Sequence, residues 1–183
     1  MRPSDYLAGF VSALECVVVT FHDCAPIPFN EGVEWTVKTL SDVRADKKKV
    51  MLVGNGAEAS IASHIALDLW KLRGIRAVTF SDAAQLTALA NDCGAEFAFS
   101  IPIKIFGDAG DVVFALSCSG ESSNVLQAAA AARKAGYPLV TLTGCEPMNA
   151  LRKLGDVNFY VPDEMYGVVE SAHALIMHCV LDC

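Results

Sequence analysis

The sequence predicts an α/β protein in three layers, a five-stranded parallel sheet with helices on both faces, and three observations carry that prediction. Short apolar runs of strand length at 50–53, 76–80, 112–116, 138–142 and 157–161 alternate with longer stretches of helical periodicity. The run at 112–116, VVFAL, is continuous rather than alternating, as an interior parallel strand buried on both faces should be. It leads through a serine-rich turn into an alanine-rich block that forms helix from Asn124 onward. Hydrophobic residues make up 53% of the chain against 19% charged, enough to pack both faces of a sheet and leave apolar surface for other subunits.

At 183 residues the chain suits one α/β domain spanning 1–183, with a helical segment over 1–45 and the sheet core over 46–183. A net charge of -7 disfavours nucleic acid as a direct ligand. No stretch approaches the ~18 uninterrupted apolar residues of a membrane span, and the N-terminal residues lack the basic-then-apolar pattern of a signal peptide. Seven cysteines (16, 24, 93, 118, 145, 179, 183) without a Cys-x-x-Cys pair read as reduced thiols, which implies a cytoplasmic location. Cys179 and Cys183, four apart on a helix, resemble half a metal site with no second half in view.

Leu7, Phe10, Val11, Leu14 and Val18 recur at helical spacing, predicting an amphipathic helix over 4–22 that Pro26-Ile27-Pro28 ends. A second helix follows over 30–44, and Asp46-Lys47-Lys48-Lys49 reads as a solvated turn. The first core strand ends in Gly54-Asn55-Gly56, where two glycines permit a tight turn and a close approach of backbone to ligand. The next helix carries His64 and Asp68, an i, i+4 pair on one face. Spacing alone allows either a structural ion pair or two ligands to a common ion. Asp82 after the second strand suits a helix cap. Asn91-Asp92-Cys93-Gly94 closes that helix, and Pro102 enters or interrupts a further helix over 97–106.

The turn Ser117-Cys118-Ser119-Gly120-Glu121-Ser122-Ser123 lies between a strand's carboxyl end and a helix's amino end, where open α/β sheets bind ligands. Free N–H groups, the positive end of the helix dipole and several hydroxyls favour an anion, a phosphomonoester in particular. Serines as simple helix caps are the plainer reading. The turn has neither the P-loop lysine nor the three-glycine dinucleotide pattern, so no nucleotide cofactor is expected. The last helix places Glu170, His173 and His178 in an apolar context, and each polar group buried there needs a partner. Residues 170 and 178 stand about 12 Å apart along an ideal helix. They reach one metal ion only if the helix start is distorted or two subunits contribute.

The serine turn, Ala131-Ala132-Arg133-Lys134-Ala135-Gly136 and Leu142-Thr143-Gly144 together resemble the phosphosugar-binding signature of the SIS (sugar isomerase) domain, closest to its phosphoheptose isomerase branch, over roughly 30–183. The resemblance implies a flavodoxin-like SIS fold whose two N-terminal helices pack against other subunits, giving a homotetramer with sites near the interfaces. It implies phosphate binding by Asn55, Gly56, Ser117, Cys118, Ser119 and Ser122. Asp68, Glu170 and His178 become the acid–base residues, with Asp92 near the site, and His64, Asp68, Glu170 and His178 a Zn²⁺ set. The implied activity is aldose–ketose isomerisation of sedoheptulose 7-phosphate through an enediol. Departures from the pattern are Ala57-Glu58 for Gly-Ser, Asp68 for Glu, Cys118 for Thr, Glu170 for Gln, and Gly167 where Asp is frequent. They keep alternatives open: a non-catalytic phosphosugar-binding regulator, a protein-binding scaffold, or an isomerase of another sugar phosphate.

Overall fold

The structure, a computed structural model, describes residues 2–22 and 25–183; Cys24 lies outside them. Helix α1 (Pro3–Glu15) leads to strands β1 (Val18–Phe21) and β2 (Pro26–Ile27), then helix α2 (Phe29–Ala45) and strand β3 (Lys49–Val53). There follow α3 (Ala57–Leu72), β4 (Arg76–Thr79), α4 (Ala83–Asp92), α5 (Ser100–Phe106) and β5 (Val112–Ser117). The chain continues through α6 (Ser123–Ala135), β6 (Leu139–Thr143), β7 (Val157–Tyr160) and α7 (Tyr166–Asp182).

The strands form a seven-stranded sheet in the order β2-β1-β7-β6-β5-β3-β4. Five are the expected parallel strands, β4-β3-β5-β6-β7. The other two correct the five-strand expectation and the first helix with it: α1 stops at Glu15, and the residues expected to continue it become β1, antiparallel to β7, with β2 antiparallel to β1. The cause is the run Val17-Val18-Val19-Thr20. Four successive β-branched residues are stiff in a helix and favoured in a strand, and pairing with β7 covers an edge that would otherwise stand open.

Successive strand residues point to opposite faces, so each core strand feeds two cores. Val50, Leu52, Val112, Phe114 and Leu116 meet α2, α3 and α7, while Met51, Val53, Val113 and Ala115 meet α5 and α6. Alanines 128, 129 and 132 let α6 lie close against the second face. Pro102 is accommodated in the first turn of α5, where its missing N–H breaks no helical bond. Asp82 caps α4 as expected, accepting from the N–H groups of Ala84 and Gln85. No helix among the described residues is long and apolar enough to cross a membrane.

Candidate active site

The parallel strands run in the order 2-1-3-4-5 by their sequence among themselves, so the chain reverses direction across the sheet between β3 and β5. The carboxyl ends of those neighbours form the crevice in which such sheets bind ligands. Gly54-Asn55-Gly56 leaves β3 there and the serine turn leaves β5. The cleft they form, of about 90 Å³, is lined by Asn55, Leu116, Ser117, Cys118, Ser119 and Ser122 together with Glu58 and α7's Tyr166 and Glu170. Sequence reasoning brought most of this set to one place; Tyr166 was missed, having no motif to mark it.

The serine turn is held open by its own hydrogen bonds. Ser117 Oγ accepts from Gly120 N–H and donates to Ser122 Oγ, both at 3.2 Å. Ser122 occupies the N-cap of α6 without making a side-chain cap bond, so the plain capping reading fails for it. Glu121 turns away from the cleft to accept from Ala150 N–H at 2.7 Å. Gly120 has φ +66°, and a Cβ there would run into Asn149. Asn55 and Asn124 exchange reciprocal amide hydrogen bonds of 2.8 and 2.9 Å that tie the two turns together. Gly56, with φ +56°, begins α3. Among the described residues no lysine or arginine lines the cleft.

Beneath the serine turn lies a group the sequence did not announce. Glu58, one of the departures from the family pattern, is 3% exposed. Its Oε1 lies 2.6 Å from His173 Nδ1 and 3.0 Å from Cys118 Sγ. His173 is fully buried, and its Nε2 lies 3.2 Å from the Thr143 carbonyl oxygen. Burial, then the Glu58 carboxylate beside it, pushes the Cys118 thiol far above its usual range.

A second cluster gathers on α3 and α7. His64 Nε2 lies 3.2 Å from Asp68 Oδ2, and the rings of His64 and His178 meet edge-on with centroids 5.4 Å apart. One donor atom from each of the three lies within 4.8 Å of the others. Nitrogen and carboxylate donors at that spacing suit Zn²⁺. Glu170, two turns earlier on α7, stands with the serine cleft rather than with this trio, as the ideal-helix separation anticipated. Asp92 ends α4 in an exposed position and accepts a 2.7 Å hydrogen bond from Asn91.

Fold and site define a doubly wound α/β protein with a hydroxyl-lined cleft at its switch point. The family model "SIS domain" matches residues 30–144. A phosphoheptose isomerase of Helicobacter pylori is 33% identical over 159 residues, 84% of this chain and 82% of that protein. One from Shewanella denitrificans is 32% identical over 83% of this chain and 82% of its own. The structure of phosphoheptose isomerase GmhA from Neisseria gonorrhoeae superimposes with a TM-score of 0.85 at 26% identity, covering 98% of this chain and 96% of that one. The chain therefore belongs to the SIS domain family, in its phosphoheptose isomerase branch.

Proposed function

We propose that the protein is an aldose–ketose isomerase acting on sedoheptulose 7-phosphate, the reading carried by the convergence of a serine cradle with a carboxylate, Glu170, in one cleft. Ser117, Ser119 and Ser122 hydroxyls and the N–H groups opening α6 would hold the phosphate, with Asn55 and Gly56 shaping the wall and Cys118 forming part of the floor. Isomerisation moves one proton between the carbonyl carbon and the hydroxyl-bearing carbon beside it by way of an enediol, and a second proton between their two oxygens. Glu170, facing the cleft, is the better placed of the two candidate bases for the carbon proton, and Asp68 is the other. His178 carries the proton between oxygens. Asp92 is the remaining catalytic candidate.

His64, Asp68 and His178 would hold a Zn²⁺ ion, with Glu170 reaching it through movement of the first turn of α7. That ion, when bound, supplies Lewis-acid polarisation of the carbonyl. The remaining assignments are a single SIS domain in a cytoplasmic homotetramer, with sites near the interfaces.

The test is turnover of sedoheptulose 7-phosphate to the aldose phosphate by metal-analysed protein, with and without added Zn²⁺. His178→Ala is expected to lower turnover by about 100-fold or more. Buried Glu58 beneath a cleft without a cation favours one competing reading, a binding module that senses a phosphosugar without converting it. No turnover, accompanied by thermal stabilisation on adding the phosphosugar, would decide for that module.

A further inference from the structure

The isomerase reading gives Glu58 and His173 no role and Cys118 only a place in the cleft floor. They come from three separate elements, the start of α3, the turn after β5 and the middle of α7, and all three are buried. One donor atom from each of Glu58, Cys118 and His173 lies within 4.8 Å of the others, a spacing that ligands around one ion can adopt. The histidine is oriented as metal-bound histidines are: its other nitrogen, Nε2, donates to the Thr143 carbonyl and leaves Nδ1 to face the cluster.

The second observation is an orphan. Glu58 Oε1 is crowded by both neighbours, whereas Oε2, equally buried, has no hydrogen-bond partner among the described residues. A buried carboxylate oxygen without a partner is expensive and rare. A cation accounts for it, because a divalent ion takes either or both oxygens of a carboxylate.

We propose that Glu58, Cys118 and His173 form a second divalent-metal site of zinc type, distinct from the His64, Asp68 and His178 cluster. Thiolate, imidazole and carboxylate together select a borderline-soft ion over Mg²⁺ or Ca²⁺. Binding exchanges the ion for two protons: one leaves Cys118 Sγ, the other the Glu58–His173 pair, and both pass to solvent. Carboxylate and thiolate then carry two negative charges against the ion's two positive ones, so the buried cluster remains neutral. Three protein donors leave one position for water or ligand, and Glu58 and Cys118 both line the serine cleft. An ion there would offer a ligand in the cleft an open coordination position that the cleft's side chains do not provide.

Cobalt distinguishes the two sites. Only a sulfur ligand gives a near-ultraviolet thiolate-to-cobalt charge-transfer band, and the His64 cluster has no sulfur. Metal-stripped, reduced full-length protein titrated with Co²⁺ in the absence of oxygen is expected to develop that band at about one ion per chain. The band should vanish in Cys118→Ser and persist in His178→Ala and in the double variant Cys179→Ser/Cys183→Ser. Should Cys118→Ser fail to fold, Glu58→Gln serves: it keeps the band and weakens Co²⁺ binding about tenfold or more. Absence of the band in the unaltered protein, its survival in Cys118→Ser, its loss in the 179/183 double variant, or unchanged affinity in Glu58→Gln overturns the proposal. None of these readouts depends on turnover, so the isomerase assignment stands or falls separately.

Discussion

Glu170 and Gly120 show at the scale of single residues how the cleft divides chemistry from support. Glu170 lines the cleft without belonging to the histidine cluster, so Glu170→Gln keeps the shape of the side chain while removing its capacity to take a proton. Turnover is expected to fall about 100-fold, while phosphosugar affinity, read by calorimetry, holds or rises because one negative charge has left an anion site. A matching loss of affinity would mean that Glu170 binds substrate and does not act as the base. Gly120 supports the same cleft from behind. Its φ of +66° disfavours any side chain, and the space a Cβ needs is filled by Asn149. Gly120→Ala should therefore destabilise the fold by about 2 kcal/mol or more in urea unfolding; a change within experimental error would show that the turn can relax.

Among the elements, Asp111 at the entrance to β5 joins two strands. Its Oδ1 accepts from Lys49 N–H at 3.0 Å, its Oδ2 from Asp108 N–H at 2.7 Å, and the Lys49 ammonium contacts both aspartates. Lys49 and Asp111 are buried, so Asp111→Ala leaves two backbone donors unpaired and Lys49 with Asp108 as its one carboxylate partner, at a cost of about 3 kcal/mol. The pH response follows from the same cluster. The hydrogen bond from Lys49, then its charge, holds exposed Asp108 below the usual carboxylate range. Its contribution is present above the ordinary carboxylate value and disappears as pH falls through the lowered one. Burial opposes the charge of Lys49, but its bonds to Asp108 and Asp111 outweigh this and raise its pKa. That contribution is complete below the ordinary lysine value and is lost as pH rises through the raised one. The stability gap between the protein and Lys49→Met, followed by urea midpoints, should narrow at both extremes; parallel curves would dissociate this cluster from stability. Elements of this kind also mark what the sequence could reveal. The five parallel strands and the serine turn were legible because burial on both faces leaves unbroken apolar runs. Strand β1 was not, since Leu7 to Val18 also fits helical spacing and its partner, β7, lies more than 130 residues further on. Glu58 and His173 are 115 residues apart. Each was visible as an anomaly, but nothing local says that one answers the other.

Considered as a whole molecule, the chain has a sheet covered on both faces and still exposes apolar side chains on α1 and α7. Leu7 is 64% exposed, Val11 53% and Leu175 50%. Helix α1 packs chiefly on α7, with Tyr6 reaching Gly167 there, while Leu7 and Val11 are turned outward. A surface of this kind in a protein with this composition fits association with further copies, the role proposed for the N-terminal helices. Leu7→Glu/Val11→Glu adds two charges to that face without touching the sheet core. Sedimentation should then report a smaller species than the unaltered protein, with far-ultraviolet circular dichroism unchanged. If α1 also steadies the α7 it lies against, dissociation should reduce turnover as well, because α7 carries Glu170 and His178. An unchanged sedimentation coefficient would remove α1 from the interface. A smaller species with full turnover would show instead that one subunit contains the whole site.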